Sequence, residues 1–275
     1  MRADAPPCGD SARRRRPAPD QRGDLNPVLA SFAEGRLFGS VTGSDAPRVL
    51  ALHGWGRSHR DFDAVVAGDG PGPLSALALD LPGFGASPPP PAAWGAADYA
   101  ELVGRALDEM GSPVVVLGHS FGGRVALHLA TQRPEVVHAL VLTGVPLLHP
   151  LGRRAPVAPT YRLTRRLHRW GIVSDAAMEA SRQRFGSADY RAAQGMMRQV
   201  LVRAVNETYE PQLDAVGCPV HLVWGADDTV APVEVAERAV TRLALGDLAV
   251  HPGVGHLTPL LIPSALRAAV VSCLS

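Results

Sequence analysis

The sequence predicts an α/β fold, a mostly parallel sheet with helices on both faces. Three observations carry this. Short apolar runs of strand length alternate with segments of helical period along most of the 275 residues. One run, Val114-Val115-Val116-Leu117, passes directly into Gly118-His119-Ser120-Phe121-Gly122-Gly123, a Gly-x-Ser-x-Gly turn that opens a helix. The stretch 146–211 then breaks the alternation with helical segments alone.

In chain order, residues 1–27 read as a disordered tail. They hold Pro, Asp and Gly, the run Arg13-Arg14-Arg15-Arg16 and little apolar content, so burial cannot offset the entropy of ordering them. The arginines lack the apolar stretch that an export signal requires. Strands are expected over 36–41, 49–53 and 76–81, the last ending in Pro82-Gly83-Phe84-Gly85. The four prolines 88–91 mark a surface loop. A helix follows over 98–110, where Tyr99, Leu102, Val103, Ala106 and Leu107 recur at helical spacing and Gly111 stops it. Strand 113–117, a helix after Ser120 and strand 137–142 complete a first half.

Helices are expected over 161–170, 175–184 and 188–205, as a lid across the strand ends. Their Trp170, Met178, Phe185, Met196 and Met197 should pack on the core opening. A strand over 221–224, a helix over 233–243, a short strand 248–251 and a helix over 263–274 close the chain. The expected domains are a core of 28–145 and 212–275 and a lid of 146–211.

Composition narrows the function. A net charge of +1 gives no bulk field for nucleic acid. No segment is apolar for the ~20 residues that a membrane helix needs, so stable membrane insertion is not expected. Cys8, Cys218 and Cys273 are scattered and odd in number, which favours a reducing, cytoplasmic setting over a disulfide framework. No histidine pair with a third ligand suggests zinc, and no cofactor or metal is expected. All 27 basic residues are arginine. Eleven of them, including Arg153, Arg154, Arg165 and Arg166, fall in 146–210 against five carboxylates. One account is a solvated helical face; the other is an anionic ligand, such as a carboxylate-bearing or carrier-bound acyl group.

A serine hydroxyl needs a base to take its proton, and the base needs an orienting carboxylate. Gly225-Ala226-Asp227-Asp228 and Gly255-His256 each follow a strand, on the rim that carries Ser120. No carboxylate follows strand 137–142, where Thr143-Gly144-Val145-Pro146 stands. Either Asp227 or Asp228 can serve as the acid on this reading. Of the other histidines, His53 reads as support for its loop, His119 as a filler, His251 as structural, and His59, His128, His138, His149, His168 and His221 show no partner pattern.

With His53-Gly54-Trp55-Gly56, Asp80-Leu81-Pro82-Gly83-Phe84-Gly85, Gly118 to Gly123, Gly225 to Asp228 and Gly255-His256 in this order, the chain resembles the lid-bearing branch of the α/β-hydrolase superfamily over about 35–274. The resemblance implies Ser120 as nucleophile, His256 as base and Asp228 as acid. It implies an oxyanion hole from the backbone N–H groups of Trp55 and Phe121. Relatives that open epoxides or displace halide carry aspartate at position 120, and dienelactone-type relatives carry cysteine. Serine therefore points to acyl chemistry: hydrolysis of a carboxylic ester, thioester or lactone. Carbon–carbon bond hydrolysis or acyl transfer on the same triad is the alternative, and a non-catalytic receptor a further one.

Overall fold

Strand pairing decides where every loop of interest ends up. The structure, a computed structural model, describes residues 28–43, 45–68, 72–108, 113–149, 159–185 and 187–274. The expected tail, Cys8, Arg153, Arg154, Met110 and Gly111 lie outside the described residues. The strands are β1 Val28–Phe32, β2 Leu37–Thr42, β3 Val49–Leu52, β4 Ala76–Asp80, β5 Val114–His119, β6 Val137–Thr143, β7 Val220–Gly225 and β8 Gly246–His251. They form one sheet in the order β1-β2-β4-β3-β5-β6-β7-β8. Only the β1/β2 and β2/β4 pairs are antiparallel. From β4 onward every neighbour is parallel, so β3, β5, β6, β7 and β8 all end on the same edge.

The central strands are mostly apolar because both faces are covered. Successive residues point to opposite sides. Leu50, Leu52, Val116, Leu140, Leu142 and Trp224 face one core, with α2 Ala96–Asp108 and α3 Phe121–Gln132. Val49, Ala51, Val115, Leu117 and Val141 face the other, with α1 Asp63–Ala67 and the last helix, Pro263–Ser272.

Between β6 and β7 lie α4 Pro159–Arg169, α5 Asp175–Phe185, α6 Ala188–Ala192, α7 Gly195–Ala204 and α8 Glu210–Ala215. The single helix expected over 188–205 is two. Ala193 and Gln194 are extended, and Gly195, where α7 begins, takes φ +50°, a conformation glycine tolerates and a helix running through it would not. Met178 is buried, and Met197 packs on Gly83 beside the sheet edge. Trp170 and Phe185 depart from expectation: they are 58% and 42% exposed, because α4 and α5 pack mainly on each other. α9 Val233–Val240 stops earlier than expected, where the Thr241 hydroxyl donates back to the Arg238 carbonyl. α10 Thr258–Leu261 leads into α11, the Pro263–Ser272 helix already described. Among the described residues no helix is long and apolar enough to cross a membrane.

Candidate active site

The turn from β5 into α3 forces Ser120 to φ 49° and ψ −111°, where a non-glycine residue is strained. The turn is tied at both sides: Ser120 N–H donates to the Thr143 carbonyl (3.0 Å) and Gly122 N–H to the His53 carbonyl (3.0 Å). Only small residues fit around it. A Cβ on Gly118 would lie 2.6 Å from the Gly123 Cα, and one on Gly122 would strike the Leu52 carbonyl.

The parallel order brings the loops after β7 and β8 to this serine. His256 Nε2 lies 3.2 Å from Ser120 Oγ, and His256 Nδ1 lies 2.8 Å from Asp228 Oδ2. With Nδ1–H donating to the carboxylate, Nε2 is left to accept the serine proton. Asp228 is 3% exposed, whereas Asp227 faces solvent. Its other oxygen accepts from Val230 N–H and Ala231 N–H, both at 2.8 Å. Burial alone would raise its pKa. The hydrogen bonds from His256 and from the two backbone groups outweigh burial and hold it below the ordinary carboxylate value.

Two further ties hold the His256 loop. His119 Nε2–H donates to the His256 carbonyl at 2.9 Å. The hydroxyls of Thr143 and Thr258, both fully buried, meet at 2.6 Å. His119 is 1% exposed, and its Nδ1 has no partner and rests against Gly54. Burial, with His256 adding to it, pushes its pKa down to about 4, so it is neutral near pH 7. Gly144 forms the opposite wall. At φ +58° it leaves room for the His256 ring, which a Cβ there would meet at 3.1 Å. The sequence reading assigned none of these roles. Position after a strand end marked Gly144, but nothing local marked the Thr143–Thr258 pair.

His53 is fully buried and joins two loops. Its Nδ1–H donates to the Gly54 carbonyl (2.7 Å), and its Nε2 accepts from Leu81 N–H (3.0 Å). This fixes the loop that carries Trp55. Among the described residues neither the Trp55 nor the Phe121 backbone N–H has a hydrogen-bond acceptor. The rings of Trp55, Phe84 and Phe121 pack edge to face around them, at 5.0 Å and 5.6 Å from Trp55. Three histidines that show no partner pattern in the sequence have a partner in the structure. His59 Nδ1 and its backbone N–H both reach Asp80, 2.9 and 2.8 Å away, His221 lies 2.6 Å from Asp247, and His168 lies 3.5 Å from Asp175. Each pair is distant in sequence or on different elements, so spacing does not reveal it. Among the described residues no group of three or more His, Cys, Asp or Glu side chains could hold a metal ion.

Comparison with known proteins agrees with this architecture. The profile of the alpha/beta hydrolase family matches residues 49–269. A pimeloyl-[acyl-carrier protein] methyl ester esterase of Aromatoleum aromaticum is 30% identical, over 76% of this chain and 91% of its own. A 2-hydroxy-6-oxononadienedioate/2-hydroxy-6-oxononatrienedioate hydrolase of Cupriavidus pinatubonensis is 27% identical, over 81% and 85%. Among solved structures, the esterase RhEst1 of Rhodococcus superposes with a TM-score of 0.63 at 21% identity, covering 90% of this chain and 97% of its own.

Proposed function

The chain belongs to the alpha/beta hydrolase family, and on that premise we propose that it is a serine hydrolase that cleaves a carboxylic ester through an acyl-enzyme on Ser120. The observation that carries the proposal is the relay of Ser120 Oγ, His256 Nε2 and Asp228 Oδ2 at 3.2 and 2.8 Å.

In the proposed reaction Ser120 Oγ attacks the ester carbonyl carbon while its proton passes to His256 Nε2. The resulting imidazolium is stabilised by Asp228. The carbonyl oxygen becomes an oxyanion facing the Trp55 and Phe121 N–H groups, whose lack of other acceptors suits that task. Collapse expels the alkoxide, which takes the proton from His256. Water, deprotonated by His256, then attacks the acyl-enzyme and releases the acid and Ser120. A related thioester or lactone follows the same steps.

The helices between β6 and β7 are proposed to act as a lid over 146–211, on a core of 28–145 and 212–275. Supporting this, Met197 of α7 touches Gly83 and Arg124 of α3 donates to the Ala204 carbonyl. The partner is a small-molecule acyl substrate. The Aromatoleum relative, which acts on a carrier-bound ester, supports an anionic or carrier-bound one. Carbon–carbon bond hydrolysis is the second reading, since the Cupriavidus relative is named for such a substrate and the same relay would serve it.

Intact-mass labelling with a fluorophosphonate tests the nucleophile. One adduct is expected, absent in Ser120→Ala. A folded protein that takes no adduct removes the proposal. A panel of p-nitrophenyl esters beside a vinylogous diketone then separates the two readings.

A further inference from the structure

The arginines of the insertion are not equivalent. Arg198 is held by Glu179, and Arg203 by Asp98 and Glu207. Those of α4 differ. Arg162, Arg165, Arg166 and Arg169 stand at i, i+3, i+4 and i+7, all exposed, and share one helix face. The helix carries no acid, and among the described residues none of the four has a carboxylate partner. The two carboxylates of the packed neighbour α5 face other groups: Asp175 lies 3.5 Å from His168, and Glu179 pairs with Arg198.

Beside that face lies a short apolar stripe of exposed side chains. Leu163 and Trp170 stand seven residues apart, Trp170 in the turn that closes the helix, and Ile172 follows Gly171, whose φ of +73° ends the helical path. They are 57%, 58% and 67% exposed. Packing on α5 uses the remaining side of the helix, where Tyr161, Thr164, Leu167 and His168 are half-buried. Arg166 lies over the Trp170 ring at 4.5 Å, which joins the basic face to the stripe.

A soluble anion would account for the arginines but leaves three large apolar side chains in water. An amphipathic surface with a basic band, an interfacial tryptophan and adjacent aliphatic groups suits a boundary where headgroup charge lies beside hydrocarbon. We propose that α4 is an interfacial helix that seats the protein on an anionic lipid surface. Its arginines lie among the headgroups, and Leu163, Trp170 and Ile172 enter the layer beneath. The inference is independent of which ester is cleaved at Ser120.

The test is co-sedimentation of the full chain with vesicles of phosphatidylcholine alone or mixed with phosphatidylglycerol, at low and high salt. Retention is expected on the mixed vesicles only, weakening with salt. The double variant Arg162→Glu/Arg166→Glu should weaken it by more than about tenfold. Leu163→Ser/Trp170→Ser should weaken it even at low salt. Both variants should hydrolyse a soluble p-nitrophenyl ester as the parent does, and Ser120→Ala should still bind vesicles. Equal retention of parent and variants, or equal binding to neutral vesicles, overturns the proposal. So does retention on an immobilised acidic carrier protein without retention on vesicles.

Discussion

His119 donates from Nε2 to the backbone carbonyl of His256 at 2.9 Å, so the residue preceding the candidate nucleophile anchors the loop of the candidate base. The two loops leave different strands, β5 and β8, which are separated in the sheet by β6 and β7. The Ser120–His256 contact therefore depends on a tether that is neither nucleophile nor base. Replacing His119 by leucine removes the donor and keeps the bulk. One such bond contributes about 1 kcal/mol net. A fall in kcat of about fivefold with little change in KM is expected, read with a soluble ester. An unchanged kcat would mean that the Thr143–Thr258 pair holds the loop alone.

The same residue makes a pH prediction. His119 is buried, and its pKa falls from an ordinary 6.5 to about 4 in the folded state. Between these values the unfolded chain binds the extra proton and the folded one does not. Stability therefore falls as pH drops from 6.5 towards 4 and is unaffected by this group above that window. The loss amounts to about 3 kcal/mol at one pKa unit per 1.36 kcal/mol. Urea midpoints measured at neutral pH and near pH 4.5 should converge between the parent and His119→Leu. His53, also lowered by burial, acts in the same direction and cancels in that difference.

The two adjacent aspartates should separate cleanly. Asp228→Asn keeps the shape and removes the charge facing His256 Nδ1. It should lower kcat on the order of 10³–10⁴-fold. Asp227→Asn, at a solvent-facing side chain, should stay within about twofold. Comparable losses in both would assign the acid to neither.

Gly144 is the fourth test. Alanine there would be strained at φ +58° and would bring a Cβ to 3.1 Å from the His256 ring. Strain of this kind costs about 1–3 kcal/mol. Gly144→Ala should lower kcat more than it lowers the melting temperature would suggest, as the ring is displaced from Ser120. A variant with parent kcat would show that the wall yields.

Much of this was legible in residues close together in sequence. Apolar runs mark the central strands within one or two positions, because strands buried on both faces have no polar alternation to confuse their ends. The edge strand β1 was not expected; it pairs with β2 alone and leaves Leu29 52% exposed, so its pattern is weak. The Gly118–Gly123 turn is likewise local. The choice between Asp227 and Asp228 is not. It depends on the turn after β7, where Asp227 N–H donates to Val254 and Asp228 N–H to Gly225, rotating one side chain inward and the other out. The partners of His59 and His119 are set by sheet order, which no spacing rule contains. The break at Gly195 was visible as a glycine, but only the fold assigns it a positive φ.

β6 and β7 are hydrogen-bonded neighbours, with Leu140 opposite Val220 and Leu142 opposite Leu222. Parallel neighbours always need a crossover, and here the crossover contains all the helices from α4 to α8. The chain thus leaves the sheet and re-enters it one strand away. Whatever lies between can be lengthened, shortened or exchanged without re-threading a strand or shifting a register. Ser120 sits before that junction and Asp228 and His256 after it. If the insertion acts as the proposed lid, a grafted crossover would change what meets the candidate nucleophile and leave the turn that carries it intact. On the proposed function, the groups that react and the segment that selects the substrate would thus lie on separable parts of the chain.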